Sequence, residues 1–159
     1  MGYKKFAMTL RAGAMGPAIN YSDEQAKNVV DTFRATYPRI KALWTKLEDL
    51  VKQTMHKDNF GYGYGPLTVE KHALRLPNGM ALKYEGLHTT IEGLAYKSRG
   101  KPQYTYGGRI TENVIQALAR IVITDSMLRL SRHKDERVAL QVHDEIIIIA
   151  ANTQPHAIM

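Results

Sequence analysis

The stretch ERVALQVHDEIIIIA, residues 136 to 150, sets three titratable side chains, His143, Asp144 and Glu145, between two apolar runs. The flanking runs ask for burial, whereas an imidazole and two carboxylates do not. A strand, a tight turn and a second strand satisfy both demands, because the turn holds the polar residues at a rigid, exposed point. Carboxylates presented in this way offer oxygen ligands to a hard cation such as Mg2+, which keeps open coordination positions for phosphate oxygens. Taken alone, the triplet is equally an acidic hairpin turn in solvent, with His143 ending a strand. The other five histidines show no HxxxH or HExxH spacing that would complete a hydrolytic metal site around it. With no cysteine in the chain, neither a disulfide framework nor a thiolate metal site can form.

The elements that must position this turn are readable from periodicity. Thr111 is expected to cap a helix of roughly six turns, TENVIQALARIVITDSMLRLSRH, with Val114, Ile115, Leu118, Ile121, Val122, Met127, Leu128 and Leu130 apolar. RVALQV and IIIIA then read as two short strands, apolar enough to require cover from a layer of helices. Further upstream, Ser22 is expected to cap a helix with Gln25 in the capping-box position, followed by Ala26, Val29, Val30, Phe33 and Tyr37 at helical spacing. Pro38 should end or kink that helix, and Ile40, Leu43, Trp44, Leu47, Leu50, Val51 and Met55 form the apolar side of a second one.

Between Phe60 and Thr105 the pattern changes to glycine, tyrosine and alternation. In HALRLPNGMALKY, Leu74 and Leu76 alternate with polar neighbours, Pro77-Asn78-Gly79 supplies a turn, and Met80, Leu82 and Tyr84 resume the period of two. A second hairpin is expected in YKSRGKPQYTY, with Arg99-Gly100-Lys101 as a basic tip. Tyr62, Tyr64 and Tyr84 read as hairpin or core packing. The expected class is α+β, helices packed on an antiparallel sheet.

The chain has 159 residues and a formal net charge of +7, with Lys and Arg scattered along it. That balance favours a polyanionic partner, nucleic acid before membrane. There is no apolar signal core at the N-terminus, and no apolar run approaches the ~20 residues of a bilayer span. The corresponding expectation is a soluble cytoplasmic protein with no membrane partner.

Taken in order, these segments resemble the family A DNA polymerases, especially those of bacteriophages. TYGGRITENVIQALARIVITDSMLRL followed by VALQVHDEIIIIA is similar to the family's palm helix and the hairpin of its third motif. MGYKKFAMTL resembles the segment after the fingers helix, TFRATYPRIKALWTKL the following helix pair, and LRLPNGMALKY the hairpin before the palm helix. The resemblance covers nearly the whole chain as one partial domain, with residues 1–57 as the end of the fingers and helix pair and 58–159 as hairpins, palm helix and catalytic hairpin.

What the resemblance implies is template-directed DNA synthesis, in which nucleotides from dNTPs are added to a primer 3'-hydroxyl with two Mg2+ ions. Asp144 is implied as a catalytic, metal-holding carboxylate and Glu145 as its supporting neighbour. His143 would lie near the primer terminus, and Gln116, Arg109 and Asn113 on the DNA, where donors in the minor groove check pairing geometry without reading sequence. Primer-template DNA, dNTP and the N-terminal part of the polymerase are the implied partners. The family's first metal-binding aspartate and its triphosphate-holding residues lie upstream of the matched segments, so the expectation is a piece truncated at both ends and inactive alone. Thr153-Gln154-Pro155 reads as the opening of a further helix. The alternatives are a DNA-binding subunit of a split polymerase and a metal-dependent hydrolase.

Overall fold

The computed structural model describes residues 2–14, 16–91, 93–133 and 136–150. The expected helix start at Thr153 lies outside them. The structure is α+β, helices with antiparallel sheets, and it divides into two compact units, Met1–Glu112 and Asn113–Met159.

The first unit opens with helices α1 (Tyr3–Arg11), α2 (Asp23–Thr36) and α3 (Pro38–Gln53). Ser22 caps α2 as the sequence predicts: its hydroxyl accepts from the Gln25 N–H, and the Gln25 side chain accepts from the Ser22 N–H. Pro38 begins α3, where its missing N–H costs nothing. The expected apolar side of α3 is buried at Leu47, Leu50 and Val51. On α2 the expectation holds only for Ala26, since Val29, Phe33 and Tyr37 are exposed. Phe33 and Tyr37 rest on each other with ring centroids 5.1 Å apart. Phe6, Val29, Val30, Phe33 and Trp44 surround a cleft of ≈ 340 Å³ instead of closing over one another.

Strands β1 (Gly63–Tyr64), β2 (Leu67–Glu70), β3 (Ala73–Arg75) and β4 (Ala81–Lys83) form a four-stranded antiparallel meander that packs on α3 through β2. The predicted β3–β4 hairpin pairs Leu74 with Leu82. Its turn uses Gly79 at φ +83 and an Asn78 side chain that accepts from the Met80 N–H at 3.2 Å. Leu50, Val51, Leu67, Val69, Leu74 and Tyr84 are almost fully buried and form the core here. Tyr84 packs as expected, whereas Tyr62 is exposed and Tyr64 lies under the Lys46 ammonium, 5.3 Å from its ring centre.

A three-stranded sheet follows, β5 (Glu85–Thr90), β6 (Gly93–Ser98) and β7 (Lys101–Thr105). The β6–β7 hairpin is the predicted second one, with Ser98 opposite Lys101. Arg99 at φ +51 and Gly100 at φ +76 form its two-residue turn, the pair of positive φ angles that suits the twist of a tight hairpin.

Helix α4 (Gly107–Leu130) starts four residues before the expected cap. Thr111 is inside the helix, buried, and its hydroxyl donates back to the Gly107 carbonyl at 2.8 Å. The cap comes from a distance: the Glu48 carboxylate of α3 accepts from the Gly107 N–H at 2.8 Å. A Cβ at Gly107 would stand 2.3 Å from the Trp44 carbonyl oxygen, so this approach of the two helices needs glycine.

The second unit contains the rest of α4 and the hairpin of β8 (Glu136–Val142) and β9 (Glu145–Ala150). Its pairing sets Val138 opposite Ile148, Leu140 opposite Ile147 and Val142 opposite Glu145, with a bulge between Val138 and Leu140. Ile146 and Ile148 are half-buried and share a cleft with Ile123 and Leu130 of α4. The expectation that all four isoleucines find cover fails on the other side, where Leu140, Ile147 and Ile149 are exposed.

Candidate functional site

The hairpin does what the apolar-polar-apolar pattern asks. Val142 pairs with Glu145, leaving His143 and Asp144 as a two-residue turn. All three titratable residues are exposed. Glu145 is the first residue of β9 and not part of the tip, a shift of one position from the expected arrangement. His143 takes φ +52, a left-handed conformation that few non-glycine residues adopt without a constraint from their surroundings.

The constraint is visible in Gln141. Its amide nitrogen donates to the His143 carbonyl at 2.6 Å, closing the turn from within the strand. Its amide oxygen accepts from the Arg120 guanidinium of α4 at 2.6 Å. One side chain thus joins the turn to the helix.

Asp144 and Glu145 lie on different sides of the hairpin. Asp144 lines the cleft of ≈ 440 Å³ between α4 and β9, together with Ser126, Arg129, Ile146 and Ile148. Glu145 alternates with Ile146 along β9 and so belongs to the opposite, open face with Ile147 partnering Leu140. Among the described residues no group of three or more His, Asp or Glu side chains could enclose a metal ion. Asp144 is thus an exposed carboxylate in an open cleft, and Glu145, expected beside it at the tip, is on the opposite face and does not line that cleft. A pair of divalent ions would need further oxygen ligands beyond these two.

The remaining expected residues are distributed along α4. Asn113 and Gln116, three positions apart, lie on one side of the helix, and Arg120, one turn beyond Gln116, is the residue bonded to Gln141. Arg109 falls in the first unit, where its guanidinium donates to the Tyr104 carbonyl at 3.1 Å. Sequence reasoning passed over Gln141, Arg120 and Arg129. Gln141 alternates with Val142 as an unremarkable strand residue, and Arg129 reads as a cation complementing the C-terminal end of a helix dipole. A polar residue two positions before the turn, within the apolar run of residues 138–142, was the available signal.

Among the described residues no helix is long and apolar enough to cross a membrane. No protein-family model, curated protein or solved structure matches the chain.

Proposed function

We propose that this chain forms part of the palm of a bacteriophage-type family A DNA polymerase, working on primer-template DNA in the host cytoplasm. The observation that carries the proposal is the hairpin of the second unit, whose two-residue turn exposes Asp144 in a cleft against α4 and is clamped there by Gln141 and Arg120. Order of segments supports it too, since the predicted helix pair, hairpins, long helix and final hairpin all form in the expected sequence.

In this reading Asp144 holds a divalent ion and Glu145 supports the charge of the site from the neighbouring strand position. When bound, two Mg2+ ions would supply activation of the primer 3'-hydroxyl and neutralisation of the leaving pyrophosphate. Arg129, in the same cleft as Asp144, offers a cation to a phosphate oxygen. His143 stands at the primer terminus, and Asn113 and Gln116 extend along the DNA from α4, with Arg109 contributing from the helix's first turn. A second carboxylate for the ions comes from a part of the polymerase other than these residues.

The test on this polypeptide uses Mn2+ as a paramagnetic stand-in for Mg2+. Backbone amide signals of residues 143–145 should broaden first on substoichiometric addition, and Asp144→Ala should abolish that preference. Broadening centred elsewhere, or unchanged in the variant, would overturn the metal assignment.

A further inference from the structure

The β6–β7 ribbon and the start of α4 carry a second, separate concentration of charge. Residues 93–109, GLAYKSRGKPQYTYGGR, contain Lys97, Arg99, Lys101 and Arg109 and no acidic residue, so four of the chain's seven net positive charges fall within them. The same stretch has three tyrosines. Tyr84 presses edge-on against Tyr96, at 5.3 Å between ring centres, which accounts for one of them as packing. The other two, Tyr104 and Tyr106, are 52% and 53% exposed, and packing does not account for rings left half in water.

Register places these groups together. Lys97 is opposite Pro102 and Ala95 opposite Tyr104, so Lys97 and Tyr104 share one face of the ribbon, with the Arg99-Gly100 turn at its end. Arg109 donates to the Tyr104 carbonyl and fixes the base of the strand. Two residues beyond Tyr104, Tyr106 lines a cleft of ≈ 260 Å³ where its ring and that of Trp44 meet at Gly108, beside the cations Arg34 and Lys41 and the carboxylates Glu48 and Asp49, both of which are paired with Lys52. Gly108 has no side chain to fill the space between them. A run of cations with aromatic faces at intervals matches a polyanion whose repeating units carry flat rings: cations track the phosphates while the rings take the bases.

We infer that this face of the β6–β7 ribbon, together with the Trp44–Tyr106 cleft, is a binding track for single-stranded nucleic acid, with Tyr104 as a stacking platform. It does not rest on the polymerase reading, because no residue of the β8–β9 hairpin enters it. Single strand is favoured over duplex because exposed rings are useful only against unpaired, accessible bases.

The test is fluorescence anisotropy of a labelled 20-mer of deoxythymidylate with the full 159-residue chain at two salt concentrations. Tyr104→Ala should weaken binding about ten-fold, the size of one lost stacked base, and Tyr104→Phe should restore it. Changing Lys97, Arg99 and Lys101 together to alanine should lower affinity further and flatten the salt dependence by about two units of log–log slope. Removing the same charge at Lys5, Arg39 and Lys57 should do distinctly less, with circular dichroism confirming that each variant is folded. The inference is overturned if Tyr104→Ala binds as tightly as the parent, if the two triple variants lose affinity equally, or if duplex of the same length binds more tightly than the single strand.

Discussion

The two units of this chain bury apolar surface very differently. In the first, α3 and the meander close on Leu50, Val51, Val69 and Leu74, none of which is more than 1% exposed. In the second, Val114 and Ile121 are the only apolar side chains among the described residues that reach burial, and Leu140, Ile147 and Ile149 of the hairpin stand exposed at 47–62%. Yet it is the thinly packed unit that presents the exposed carboxylates. The difference is one of means: the first unit has its own core, whereas in the second the His143-Asp144 turn is tied to α4 by the hydrogen bonds that Gln141 makes. An apolar face left open on a two-stranded sheet is where another protein surface would be expected to lie.

If that contrast is right, core truncation should hurt most in the first unit. Leu50→Ala should cost about 3 kcal/mol, from lost transfer energy and the cavity left behind. Urea unfolding followed by the fluorescence of Trp44, the chain's single tryptophan, reads it directly. Gly107→Ala should come next, at about 2 kcal/mol or more, because the added methyl meets backbone of α3 that cannot move aside as a side chain could. The same unfolding curve tests it, and a midpoint equal to the parent's would mean that α3 and α4 do not approach as described.

In the second unit the effects should shrink. Ile148→Ala, on the half-buried side, should cost about 1 kcal/mol and speed amide exchange across β8–β9 more than across β2–β3. Ile147→Thr, on the open side, should change stability by less than about 0.5 kcal/mol while raising solubility. A large loss at Ile147 would show that this face is already covered.

Smallest of all is the exposed Lys27–Asp31 pair on α2, 2.8 Å apart. The bonded Lys27 ammonium holds the Asp31 carboxyl below its ordinary value of 3.8. Its contribution is therefore complete above that value and lost as pH falls through the depressed one. Acid titrations of the parent and Asp31→Asn, followed by circular dichroism, should differ slightly at neutral pH and converge in strong acid.

Local chemistry was legible where a few neighbouring residues decide the outcome. Ser22 with Gln25, the Tyr37-Pro38 joint, the Pro77-Asn78-Gly79 turn and the polar break at His143-Asp144-Glu145 all carry their own instructions, although the break does not say which two of its three residues make the turn. The start of α4 was not, because Gly107-Gly108 looks like a helix breaker and the group that caps the helix, Glu48, is 59 residues away. Apolar periodicity on α2 and β9 announced which side wants burial but not whether anything covers it. For the same reason Asp144 could be picked out as a candidate ligand, whereas its separation from Glu145 onto the other side of the hairpin depends on register that only the folded structure fixes.

The central claim, that Asp144 is a metal-holding carboxylate for nucleotidyl transfer, is tested most directly by primer extension with Mg2+. The segment should be placed within a complete family A polymerase, replacing its counterpart, and compared with the same enzyme carrying Asp144→Ala or Glu145→Ala. Losing one electrostatic contact in such a site typically costs ~3 kcal/mol or more at the transition state, so Asp144→Ala should reduce the rate by at least two orders of magnitude. Glu145→Ala should reduce it less. Extension by the Asp144→Ala enzyme at the unsubstituted rate would contradict the account.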